Sequence, residues 1–417
     1  MTRNDMRITV SLASLILLCC GLQAQDPASI RIPNDYGLVH EKQNVIIRPN
    51  HLESLFEKLY RLKTAGQGLV SMVHIGDSHI QADILTQQVR QQLQLIFGNA
   101  GRGLVVPGKV ARTNEASTIL SSSNVTWDAK RAVFPEQPLP IGIGGITIST
   151  NDPTANLTLK MVSPWTDYRF NKVTVFLQKN FESFNMAVRD SANRDLAFVG
   201  PYTFEPFPNT STIHLPFLTN QISLQAMKSI GTQKNLTLFG MSLENGNPGL
   251  FYHAIGVNGA KYRHYLAAQY FTEQTAVLEP DLFVISLGTN EALDYPNVDP
   301  QLFTQIGQLM VALRTRNPAA VFLLITPPDS FRNQHKRNPG VEDVRETILR
   351  FADDNRLAVF DLFEAGGGHH SASKWKHKDL LRADGIHFTK EGYELQGNMF
   401  YNAFMKAYLD YVATRHP

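Results

Sequence analysis

Apolar residues recur along this chain in two rhythms, and the change from one to the other divides it. Leu52, Leu55, Phe56, Leu59 and Leu62 fall at helical intervals, with Asn50 and Glu53 at capping-box spacing before them and Gly66 as a stop. Residues 69–75 (Leu-Val-Ser-Met-Val-His-Ile) form an unbroken apolar run of strand length, after which Leu85, Val89, Leu93 and Ile96 restore the helical interval up to Gly98. The unit returns later in the chain. Residues 282–287 and 321–325 read as buried strands, and Leu302, Ile306, Leu309, Met310 and Leu313 as a helical stripe opened by Asp299-Pro300. Residues 357–360 give a further strand, and Phe400, Phe404, Ala407 and Tyr411 the buried face of a last helix. Strands alternating with helices predict an α/β domain whose parallel sheet is covered on both sides.

Between about residues 108 and 246 the period becomes two. Runs such as Asn156-Leu-Thr-Leu-Lys-Met, Lys172-Val-Thr-Val-Phe-Leu and Asn235-Leu-Thr-Leu-Phe-Gly stand between Pro, Asn and Gly clusters. They predict seven or eight short strands, an all-β sandwich or jelly roll inserted at a loop of the α/β domain. The expected organisation is a leader over 1–24, an α/β domain built from 25–107 and 248–417, and the insert over 108–247. Two linkers, near Gly108 and Gly246, are expected to join the insert to the rest.

Composition narrows the partners. The 417 residues are 43% hydrophobic and 18% charged, enough for two domains that each bury a core. Basic and acidic residues nearly balance, 39 against 37, with no basic stripe, so nucleic acid is not an expected partner. Arg3 and Arg7, an apolar run over 8–18, and small or polar residues to Ala24 read as a secretion signal cleaved after Ala24. No later stretch approaches the roughly 20 apolar residues of a transmembrane helix. Both cysteines, Cys19 and Cys20, lie in the leader, so the mature chain is expected to have no thiol or disulfide. A lipid-carrying cysteine is the second reading of that pair. Neither cysteine has a small residue at −1 together with leucine at −3.

The chemistry starts at His74-Ile-Gly-Asp-Ser-His, where a buried strand gives way to a helix, the place where ligands and nucleophiles collect in open α/β sheets. Gly76 allows the turn, and Ser78 at the helix start exposes its Oγ and its N–H, which makes it the candidate nucleophile. The commoner use of such a serine is as a plain N-cap. Asp384-Gly-Ile-His387 puts a carboxylate and an imidazole in one loop, just before a helix that Thr389 can cap. In that arrangement His387 takes the Ser78 proton while Asp384 holds the imidazole tautomer. Asn290, in Gly288-Thr-Asn290 at the end of strand 282–287, can donate its amide to an oxyanion. The glycine of Gly256-Val-Asn-Gly259 lets a backbone N–H approach an acyl oxygen. Alone, each of these is a turn.

Taken in order, Gly-Asp-Ser, the Gly259 glycine, Gly-x-Asn and Asp-x-x-His resemble the four blocks of the SGNH (GDSL-like) hydrolase family, over roughly residues 65–105 and 250–405. The resemblance implies a three-layer α/β/α flavodoxin-like fold and ester hydrolysis through an acyl-serine. It also implies Ser78, Asp384 and His387 as a triad, with an oxyanion hole made by the Ser78 and Gly259 N–H groups and the Asn290 side chain. The first block continues Ser-His rather than Ser-Leu, and the β insert separates it from the second. With Gly259-Ala, Gly288-Thr-Asn-Glu and a carbohydrate-binding-module-like insert, the pattern is similar to the peptidoglycan O-acetylesterases of Gram-negative periplasms. That similarity implies an O-acetylated glycan as partner, first of all peptidoglycan acetylated at C6 of muramic acid, and a periplasmic location. Three other readings stay open: an O-acetyltransferase using the same acyl-serine, an acetyl esterase for another polysaccharide such as xylan, and a silent glycan-binding protein.

No cofactor and no metal is expected. The paired histidines of residues 366–370 read as an exposed glycine-rich turn, and His74 and His79 as buried histidines outside the triad. Trp127, Trp165 and Tyr168 read as sandwich core before sugar-stacking residues. The pattern fixes no oligomeric state.

Overall fold

The computed structural model describes residues 36–133 and 139–415. The leader expected over 1–24 lies outside the described residues. Five parallel strands make the central sheet: Leu69–Gly76, Gly249–Gly256, Leu282–Ser286, Val321–Ile325 and Ala358–Phe360. In space their order is second, first, third, fourth, fifth, the flavodoxin-like order, and Ile46–Ile47 adds an antiparallel edge strand beside the fifth.

Alternate strand residues feed two cores. Val70, Met72, Leu282, Val284, Leu323 and Ile325 pack with helices Glu53–Ala65, Ile84–Phe97 and Lys390–Arg415. Val73, Ile75, Phe283, Ile285, Phe322 and Leu324 enter the core shared with helices Leu302–Arg316 and Gly340–Asp354. Burial on both faces is why these strands read as unbroken apolar runs. Two helix starts differ from expectation. Pro49–Leu52 is a 3-10 turn and the helix that follows begins at Glu53 without a side-chain cap, so Asn50 caps nothing. The later helix begins at Leu302, where Asp299 accepts from the Gln301 N–H and the Gln305 amide instead of standing at the cap.

The antiparallel region is larger than the seven or eight strands expected. It holds a five-stranded sheet and a sheet of six strands that includes Gly103–Val105, which pairs with Leu236–Glu244 ahead of the boundary expected at 108. Strands such as Asp128–Arg131 (Asp-Ala-Lys-Arg) carry no apolar alternation, so periodicity could not show them.

The insert is not held on linkers. Trp127, Ile143 and Phe239 of the insert belong to the same core as Val257, Tyr265 and Phe271 of the α/β part. The Tyr270 N–H donates to the Ile141 carbonyl at 2.9 Å, the Ile143 N–H to Gln274 Oε1 at 2.8 Å, and the Phe239 and Tyr270 rings lie 5.5 Å apart. Trp127 and Tyr168 are buried, whereas Trp165 is 84% exposed and fills no core. Among the described residues no helix is long and apolar enough to cross a membrane.

Candidate active site

The first strand ends at Gly76 and the chain turns into a single helical turn, Ser78–Gln81. Asp77 is its N-cap, accepting the His79 N–H on Oδ1 at 3.0 Å. Capping therefore falls to Asp77 and not to Ser78. Ser78 becomes the first helical residue, with its hydroxyl not taken up by capping and its N–H among those a helix cannot use internally. Gly256 lets the neighbouring strand press against this turn, since a Cβ there would stand 2.2 Å from the Gln81 nitrogen.

The loop before the last helix brings the base. His387 Nε2 lies 2.9 Å from Ser78 Oγ, and His387 Nδ1 lies 3.0 Å from Asp384 Oδ2. The other Asp384 oxygen accepts the N–H groups of Ile386 at 2.8 Å and His387 at 2.9 Å. With the imidazole proton on Nδ1 facing the carboxylate, Nε2 offers a lone pair to the serine hydroxyl. Burial alone would raise the Asp384 pKa. The Ile386 and His387 N–H donors and the His387 ring outweigh it and hold the carboxyl below its ordinary range. The loop is fixed by the Arg382 N–H on the His387 carbonyl at 2.7 Å, and Thr389 Oγ1 accepts the Gly392 N–H at 3.2 Å at the start of Lys390–Arg415.

Asn290 sits in Thr289–Ala292, directly after the third strand. Its Nδ2 donates to the Ala260 carbonyl at 3.0 Å and to Asp77 Oδ2 at 3.3 Å, so the amide bridges the loops that follow the second and first strands. Gly259 has φ +81°, a conformation that disfavours any residue with a Cβ. Ser78, Gly259, Asn290 and His387 all line one cleft of about 300 Å³, with Asp384 behind the imidazole. The cleft stands at the carboxyl ends of the first and third strands, where the strand order reverses.

Buried carboxylates beside the site escaped the sequence reading, whereas His74 and His79 are buried as expected. Asp77 is fully buried, and burial pushes its carboxyl up to about 7 against the pull of the His79 N–H. Glu291, also pushed up to about 7 by burial, accepts the Tyr262 N–H at 2.9 Å beneath the Asn290 turn. His79 contacts the Tyr393 hydroxyl at 3.0 Å and its ring lies 5.5 Å from that of His387. Burial and the His387 charge push it down to about 3, which keeps it neutral. His74 is buried on its strand against the Tyr252 hydroxyl at 2.9 Å, away from the cleft. The Asp77 role was readable from the cap preference of aspartate. The insert supplies no triad residue, yet its first loop walls the cleft through Asn114, and Gln81 ties that loop to the site by donating to Thr113 Oγ1 while accepting the Asn258 N–H. His369 of the glycine-rich turn faces Glu342 at 2.7 Å.

The GDSL-like lipase/acylhydrolase family model matches residues 231–395. The chain contains a GDSL-like lipase/acylhydrolase domain. The match holds Gly259, Asn290, Asp384 and His387 but not Ser78, which the insert separates from them and the fold returns to them. A peptidoglycan O-acetylesterase structure is similar at 20% identity and a TM-score of 0.72, over 85% of this chain and 96% of that one. Its likeness takes in the GDSL-like domain and the insert together and establishes the shared fold. Shorter likenesses include a lipase/acylhydrolase from Enterococcus faecalis (20% identity, 38% of this chain and 77% of that one, TM-score 0.31). Another is a catalytic mutant of an acetylxylan esterase from Geobacillus stearothermophilus (17% identity, 37% and 73%, TM-score 0.29). No curated protein matches the sequence.

Proposed function

We propose that the chain is a periplasmic serine esterase that removes O-acetyl groups from peptidoglycan, at C6 of N-acetylmuramic acid, through an acetyl-serine intermediate. The observation that carries this reading is the unbroken contact chain from Asp384 through His387 to Ser78, opening on a cleft of small-ligand size. Ser78 Oγ attacks the acetyl carbonyl while His387 Nε2 takes its proton, and Asp384 stabilises the imidazolium. The oxyanion of the tetrahedral intermediate is met by the Ser78 and Gly259 N–H groups and by Asn290, whose longer bond to Asp77 is the one that yields. His387 returns the proton to the sugar hydroxyl as that group leaves. Water, activated by the same imidazole, then releases acetate. The likeness to a peptidoglycan O-acetylesterase over both parts of the chain supports the choice of glycan, and a jelly-roll, carbohydrate-binding-module-like insert would hold the polymer. Secretion through the leader over 1–24 belongs to the same proposal.

The test is to supply the protein with O-acetylated peptidoglycan and with acetylated xylan and to measure acetate. Free acetate from peptidoglycan at the higher rate is the expected result. Faster release from xylan would move the substrate, and acetyl appearing on added glycan in place of free acetate would make the protein a transferase.

A further inference from the structure

Arg382 holds an unusual place in the cleft. The lining includes no aspartate or glutamate, and apart from His387 its one basic side chain among the described residues is Arg382. Its backbone is bonded into the triad loop on both sides, the N–H to the His387 carbonyl at 2.7 Å and the carbonyl to the Gly385 N–H at 3.0 Å. The Cα therefore keeps a set position relative to the imidazole. The guanidinium itself makes no ion pair or hydrogen bond among the described residues. The nearest acid in sequence, Asp384, is committed to the His387 ring and to two N–H groups.

A cleft whose lining holds a cation on an anchored backbone and no acid complements an ester whose carrier bears an anion. Guanidinium recognises carboxylate best, through two parallel donors. Acetylated xylan backbones offer no carboxylate, whereas muramic acid carries one on its lactyl group or, when that is amidated, on its peptide stem. Building on the esterase reading above, we propose that Arg382 is a specificity-determining residue that binds a carboxylate of the acetylated glycan beside the scissile ester. The chemistry is the same for a lactyl or a stem carboxylate, and the choice between them is experimental.

Three soluble esters separate the possibilities: 6-O-acetyl-N-acetylmuramic acid, its lactyl amide, and the 6-O-acetyl muramoyl dipeptide, whose free carboxylate lies on the stem. The kcat/KM of each is measured for the wild type, Arg382→Ala and Arg382→Lys, with dissociation constants for the same ligands in a Ser78→Ala background. The wild type should favour at least one carboxylate-bearing ester over the neutral amide by about 5- to 20-fold, mainly through KM, the size expected of a solvent-exposed charge pair with good geometry. The favoured arm names the source of the carboxylate. Arg382→Ala should bring the ratio near one, and Arg382→Lys should keep part of it. Equal handling of all three by the wild type, or a preference that survives Arg382→Ala, would overturn the proposal. Binding preference without turnover of any ester would instead fall on the esterase reading and leave the role of Arg382 standing.

Discussion

Replacing Asp83 by asparagine should destabilise the protein by about 3 kcal/mol at neutral pH. Asp83 is 3% exposed, Arg90 0% and Arg102 2%, so one carboxylate serves two buried guanidiniums. Asp83 Oδ1 accepts from Arg90 Nη2 at 2.7 Å and from the Thr86 hydroxyl. Oδ2 accepts from Arg90 Nη1 at 2.9 Å and from Arg102. Asparagine matches the aspartate in volume and tolerates its φ of +58°, so the substitution keeps the shape while removing the charge and turning one of two acceptor oxygens into a donor that faces guanidinium N–H groups. Removing one partner of a buried ion pair costs about 3–5 kcal/mol, and the asparagine oxygen retains part of the hydrogen bonding, which places the estimate at the low end. Burial pushes the Asp83 pKa up, but Arg102, Arg90 and the hydrogen bonds to Arg90 and Thr86 outweigh it and leave the carboxyl below its ordinary value. A depressed folded pKa means that the unfolded chain binds the proton more tightly. The carboxylate's stabilisation is therefore complete above the unfolded value of about 3.9 and is lost as pH falls through the folded one. Urea denaturation of wild type and Asp83→Asn should give a midpoint difference that holds from pH 7 down to about pH 4 and shrinks below it. Adding Arg102→Met should recover part of the loss by removing the surplus cation. A cost under about 1 kcal/mol at pH 7 with unchanged m would refute the argument, because it would mean that the buried charges do not depend on their counter-ion.

Ser78→Ala should fold normally, lose esterase activity and resist a fluorophosphonate probe. Covalent labelling of that variant would move the nucleophile elsewhere. Asn290→Ala should lower kcat roughly 10²- to 10³-fold with little change in KM, since its amide meets charge present mainly in the transition state. An unaltered kcat would take it out of the oxyanion hole. Replacing residues 112–244 by a Gly/Ser linker should abolish cooperative melting and 4-nitrophenyl acetate hydrolysis together, because it strips the cover from Val257, Tyr265 and Phe271. A folded deletion variant that still cleaves the small ester would show that the two parts are independent.

The parallel strands were legible because a strand buried on both faces has no room for polar residues, as in residues 282–287 (Leu-Phe-Val-Ile-Ser-Leu). The candidate residues could be picked out because Ser78, Gly259 and Asn290 each follow closely on the end of a strand, Asp384 and His387 stand together just before the last helix, and the four segments together resemble the blocks of one family. What the pattern could not show depended on tertiary contact. Arg90 follows Val89 and sits off the apolar stripe, so the pattern points it to solvent. It is buried because Asp83 and the Tyr252 carbonyl at 2.7 Å satisfy it. Asn50 has the right chemistry for a cap, but the chain takes a 3-10 turn through it. Asn114 belongs to a loop with no pattern at all, and it reaches the cleft because the insert is folded down onto Gln81.

The two connections expected to be linkers are hydrogen-bonded to each other. Gly103, Leu104 and Val105 at the entry to the insert pair with Leu243, Ser242 and Met241 at its exit, and the Leu104 N–H also donates to His253 Nδ1 on the second parallel strand at 2.9 Å. One residue before this zipped root, Arg102 joins the ion cluster of Asp83, two positions beyond Gln81 on the nucleophile turn. The root of the insert and the base of the nucleophile turn thus share one buried polar anchor. A flexible tether would hold a bound polymer at an effective concentration set by its length. A zipped root instead holds the insert at one place relative to Ser78, and the loop that carries Asn114 can therefore serve as a fixed wall of the cleft.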